Sequence, residues 1–207
     1  MTIMLLALAI VSAIMSQAFS VRARESRTAD ALTTAQAAIS VISREVSNSG
    51  FGLYNDTSDE ANNGIVLADS GANQIRVRSN LENEGGTQSA PGTSTLVINA
   101  PGEDVTYFFD NATSSIVRYD PNGLGAGQPV TSVVVNRISN VVFEYFDYAG
   151  GTSASSGPNS SPSMNTGRVQ IVVEVALDKV VGQPDDQRVT FASEVTLRNN
   201  SYMLQQY

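Results

Sequence analysis

The sequence predicts an α+β protein: one long N-terminal helix, apolar in its first half and amphipathic in its second, packed on an antiparallel β-sheet domain. Three observations predict it. Between Met1 and Ser49 there is neither glycine nor proline, the two strongest helix breakers. After Gly52 the text breaks into short runs that alternate apolar and polar residues between Gly, Asn, Ser and Pro. No second strongly periodic helix interrupts those runs, so the strands gather after the helix rather than interleaving with helices.

Residues 1–24 form the first element. No charged side chain precedes Arg22, and Met1 to Val21 at 1.5 Å per residue spans roughly 31 Å, matching a hydrocarbon core of about 30 Å. A cleaved secretory signal carries a basic stretch before a shorter apolar one, and nothing basic precedes this run, so it reads as a membrane anchor or a polymer core. Residues 25–50 continue the helix amphipathically, with Leu32, Ala35, Ala38, Ile39, Ile42 and Val46 at three- and four-residue spacing. Leu32, Ile39, Ile42 and Val46, with Phe51 folding back after a left-handed cap at Gly50, are expected to seal the helix against the head.

Residues 51–207 are expected to form a β-rich globular head. Strands are expected at 74–78, 95–98, 105–109, 115–119, 133–138 and 141–148. Arg168 to Leu177 and Arg188 to Leu197 alternate as half-buried antiparallel strands do. Asp120-Pro121-Asn122-Gly123 is a turn sequence. Residues 82–93 and 150–167 are small, polar and poor in apolar anchors, and read as loops.

Composition excludes several functions. Net charge is −8 with a single lysine, Lys179, which argues against nonspecific nucleic-acid binding. Without cysteine there is no disulfide framework or thiolate metal site. Without histidine the commonest general base and metal ligand are missing. No phosphate-binding loop, nucleophile elbow or metal motif occurs, so no catalytic residue, cofactor or metal ligand is assigned and an enzyme is not expected. Asp120 and Asp147 are oxygen ligands of the kind calcium takes, but turn chemistry accounts for them better. The aromatics of 107–109 and 143–148 read as core rather than as a stacking platform. Arg22, Arg24, Arg27, Glu25 and Asp30 are expected to solvate the helix at a membrane surface or to pair between subunits.

The whole chain, in order, resembles the type IV pilins and their pseudopilin relatives, closest to PilW-like minor pilins and minor pseudopilin J. Met1-Thr2-Ile3 resembles the start of a mature pilin after its basic leader is removed. Ser43 to Gly52 is similar to the helix-end signature of those proteins. Val130 to Asp147 resembles their strand before a variable loop, and Val195-Thr196-Leu197-Arg198-Asn199 resembles their close. The resemblance implies assembly through Met1, Leu5, Leu6, Ala9, Ala13 and Ser16 in the helix core, N-methylation at Met1, and no cofactor. It implies an inner-membrane protein that joins other copies or related pilins through a pilus assembly machinery and ends in an extracellular filament. Leu5 departs from the family's glutamate at that position, and Arg22 stands where major pilins carry proline. Leu5 leaves an amino terminus without its usual counter-charge, which favours a filament tip.

Three functions stay open. The chain is a structural subunit of a pilus-like filament serving adhesion, motility, DNA uptake or secretion; or a low-copy minor, tip or pseudopilin subunit that initiates assembly or binds a partner; or a membrane-anchored binding domain that never polymerises.

Overall fold

The computed structural model describes residues 2–53, 63–82, 97–148, 155–177 and 187–200, with side chains described at all of them except 2, 5, 6, 155 and 156. Thr2–Ser47 winds into a single α-helix, α1. Among the described residues, eight strands follow in two antiparallel sheets, which makes the architecture α+β. The first sheet is a meander of β1 (Gln74–Arg78), β2 (Asp104–Asp110), β3 (Ser115–Asp120) and β4 (Val130–Asn136), in that order. The second contains β5 (Ile138–Tyr148), β6 (Ser155–Asn159), β7 (Thr166–Ala176) and β8 (Arg188–Thr196), ordered β6-β5-β7-β8. Arg137, between β4 and β5, holds a φ of 63° where the chain leaves one sheet for the other.

Strand alternation reproduces the period-2 text. Val169, Ile171, Val173 and Val175 of β7 are buried while Arg168, Gln170, Val172 and Glu174 turn to the other face. Val141, Phe143 and Tyr145 do the same on β5. These side chains share one buried cluster with Ile75, Val77, Tyr107 and Ile116 of the first sheet. Ala31, Ala35, Ala38, Ile42 and Val46 of α1 belong to the same cluster. Burying an Ile or Phe side chain contributes about 1.5–3 kcal/mol, so this cluster is the main stabilising element.

Gly50 and Gly64 lie nearly on top of one another. A Cβ on Gly64 would stand 2.0 Å from the Gly50 nitrogen, and both residues have positive φ, so only glycine fits at this crossing. The Gly50 N–H donates to Arg78 O at 2.9 Å, which ties the end of α1 to the end of β1.

Several expectations need correction. Leu32 is 38% exposed and Phe51 is 51% exposed, so neither seals the helix. Ala35 and Ala38 are buried as the spacing predicts, and at the start of the stripe Ala31 is buried in place of Leu32. Ile39 is half-buried against the cluster, and Ile42 and Val46 are fully buried. The serine-rich stretch read as a loop contains β6, paired with β5 at Tyr145–Asn159 and Tyr148–Ser155. Val97 and Ile98 are not in a strand, and Thr95 and Leu96 lie outside the described residues.

Candidate functional site

Among the described residues of the first half of α1, the large apolar side chains are all exposed. Ile3 is 86% exposed, Met4 81% and Leu8 69%, with Ile10, Val11, Ile14, Met15, Phe19 and Val21 also exposed. Ala9, Ala13 and Ser16, assigned to the helix core of an assembly, are exposed among them. The side chains of Met1, Leu5 and Leu6 lie outside those described. Exposed contiguous apolar surface on this scale marks a surface that something else covers. The Ser20 hydroxyl donates to Gln17 O at 2.8 Å and the Thr28 hydroxyl to Arg24 O at 3.1 Å.

Among the described residues no helix is long and apolar enough to cross a membrane. The unbroken run of described side chains starts at Ala7, and Ala7 to Val21 spans roughly 22 Å before Arg22, short of a core of about 30 Å.

Polar contacts fix the other end of α1. Tyr107, on β2, donates its hydroxyl to Glu45 at 2.7 Å, and Arg118 of β3 reaches the same carboxylate at 3.2 Å. Arg118 also pairs with Asp120 at 3.3 Å. Burial, with the Glu45 charge second, pushes the Tyr107 hydroxyl well above its ordinary range. Burial alone would make the Arg118 guanidinium easier to deprotonate, but Glu45 outweighs that and holds it more firmly charged. Arg198 N donates to Ser47 O, and the Asn199 side chain donates to Ser49 O at 2.9 Å.

A groove of about 540 Å³ runs between the last turns of α1 and β8. Ser43, Arg44, Ser47, Ser193, Glu194 and Arg198 are among the residues lining it. Arg44 and Arg198 are exposed there and make no ion pair among the described residues. Glu194 pairs with Arg168 at 2.9 Å. The Ser43 hydroxyl oxygen is buried without a hydrogen-bond partner.

Two further carboxylates organise the head. Asp104 accepts from both Arg76 at 2.7 Å and Arg78 at 3.0 Å. Burial pushes the Asp104 carboxyl up, yet the Arg76 hydrogen bonds and the Arg78 and Arg76 charges together hold it below the usual carboxylate range. Glu103, 1% exposed, accepts four backbone N–H groups. One oxygen takes Leu81 N at 2.7 Å and Glu82 N at 3.1 Å; the other takes Asn99 N at 3.1 Å and Ala100 N at 3.0 Å. Nothing local in the sequence marks Asp104 or Glu103, because their partners come from distant positions or from backbone.

The possible calcium ligands are not brought together. Asp120 ends a strand of the first sheet and is occupied by Gly102 N, Asn122 N and Arg118; Asp147, in the second, accepts Thr166 Oγ1 at 2.8 Å. Among the described residues no cluster of acids fit for a metal occurs. Tyr107, Phe143 and Tyr145 are fully buried, and Phe146 is half-buried beneath the Arg168 guanidinium, 4.3 Å from its ring centre. Lys179 lies outside the described residues.

No protein-family model, curated protein or solved structure matches the chain.

Proposed function

We propose that this chain is a structural subunit of a type IV pilus-like extracellular filament, assembled through packing of the first halves of its helices. The observation that supports the reading is the set of exposed apolar side chains Ile3, Met4, Leu8, Ile10, Val11, Ile14, Met15, Phe19 and Val21, on a helix whose later residues Ala31, Ala35, Ala38, Ile42 and Val46 are buried. In this reading Leu5 and Leu6 belong to that surface, and the amphipathic half packed on the β-sheets is the spine of the head. Such a surface is stable in lipid before assembly and against other helices afterwards. Small residues Ala9, Ala13 and Ser16 permit the close approach that helix packing without water requires. The partners are other copies or related pilins, an inner-membrane assembly machinery, and the membrane itself.

One sequence feature favours a second reading. Leu5 in place of the family's glutamate suits a low-copy minor, tip or pseudopilin subunit, which needs no counter-charge from a neighbour below it.

Shearing the producing cells and analysing the released filaments by intact mass and N-terminal peptide tests both. Abundant chain beginning at methylated Met1 in the filaments supports the structural subunit. A few copies per filament support the minor subunit. Complete retention in the membrane fraction overturns the structural subunit and leaves a low-copy subunit or an anchored binding domain.

A further inference from the structure

We infer that the groove between the end of α1 and β8 receives the Arg22–Glu25 stretch of a second copy's helix, with the neighbour's Glu25 seated between Arg44 and Arg198. The inference rests on the filament reading, because it requires copies with parallel helices. Its support is charge complementarity. In a chain of net charge −8, Arg44 and Arg198 line one groove, exposed and without an ion pair among the described residues. On β1, β3 and β7, by contrast, Arg76, Arg118 and Arg168 are matched to carboxylates. The helix dipole explains a cation at Arg44, in the last turn of α1, at a few tenths of a kcal/mol to about 1. It does not explain Arg198, nor the buried Ser43 hydroxyl left without a partner in the same groove.

Among the three acids of α1, Glu25 is the one we place in the groove. On α1, Glu45 is taken by Tyr107 and Arg118, and Asp30 lines a separate pocket with Arg27 and Arg137. Glu25 is exposed and makes no contact among the described residues. Two parallel helices offset by roughly 28 Å bring Glu25 of one level with Arg44 of the other.

Absence of cysteine from the chain makes the test direct. In the E25C/R44C double variant the two thiols of one rigid helix are roughly 28 Å apart. A short bis-maleimide therefore joins only different copies. The result expected is a ladder of multimers in both membranes and sheared filaments, with neither single variant giving more than dimers. The T28C/S47C variant keeps the same offset and both charges, and gives the same ladder. A ladder in membranes without filaments upholds this contact while overturning the filament reading. Filaments that assemble from T28C/S47C without a ladder overturn the contact while the filament reading stands.

Discussion

The Tyr107 hydroxyl donates a hydrogen bond of 2.7 Å to Glu45, joining the second strand of the head to the last turns of the helix across 62 residues of sequence. The Arg118 guanidinium shares that carboxylate. The contact turns a helix end, which fraying would otherwise loosen, into a fixed point of the fold.

Tyr107→Phe removes the donor and leaves Glu45 with Arg118, and is expected to destabilise the head by about 1–3 kcal/mol. Glu45→Ala strands two partners and is expected to cost about 2–4 kcal/mol. Urea denaturation of the detergent-solubilised chain, run as a double-mutant cycle, should give a coupling near 1 kcal/mol. Strict additivity would mean the two side chains do not act together.

Asp104 gives the fold an acid limb. Its carboxyl is depressed in the folded state, so its contribution is present above the unfolded value of about 3.9 and is lost as pH falls through the folded one. Asp104→Asn is expected to cost about 2–4 kcal/mol at neutral pH and progressively less as the pH falls below about 4. Denaturation midpoints measured at a series of acidic pH values check it; parallel wild-type and variant curves would refute it.

The alkaline limb belongs to tyrosine. Burial raises the hydroxyls of Tyr107 and Tyr145 above their ordinary range, so their contribution is present below about pH 10 and is lost as pH rises beyond it. Tyr145→Phe should flatten part of this loss. Phenolate absorbance followed alongside unfolding should show these two tyrosines ionising only as the fold opens.

Glu103→Gln replaces one of two acceptor oxygens by a donor, setting an NH2 against two backbone N–H groups. A loss of about 2–4 kcal/mol is expected, with faster hydrogen exchange at Leu81, Glu82, Asn99 and Ala100. Unchanged protection at those four amides would show that the carboxylate does not hold them.

Ala13→Asp places a charge in the exposed apolar half of the helix, far from the core cluster. Filament yield in the sheared fraction is expected to fall at least tenfold, at the order of 1.4 kcal/mol per tenfold step. The melting temperature of the head should not change. Normal filaments from this variant would remove the polymer-core reading.

The elements whose pattern is local were readable in advance. The helix announced itself by the lack of Gly and Pro through Ser49, and β1, β7 and β8 by alternation. What could not be read is what depends on distant partners. β6 is a run of Ser, Gly, Pro and Asn with no alternation, and it is a strand because β5 offers it an edge. The buried stripe of the helix follows the spacing at Ala35, Ala38, Ile42 and Val46 and departs from it only where Ala31 is buried and Leu32 exposed, since hydrophobicity alone favours the leucine. Of the proposed interfaces, the apolar half of the helix was legible as composition. The groove at Arg44 and Arg198 was not, since it joins residues more than 150 positions apart.

Glu103 has a consequence for how this protein can change. One carboxylate holds the backbone on both sides of the segment between Glu82 and Asn99, so these four bonds do not depend on the residues between them. Doubling the length of a connection adds only about 0.6 kcal/mol of closure entropy. The segment is therefore a place where a lineage can change the sequence, or an engineer can splice in a foreign peptide, while the contacts of Glu103 stay intact.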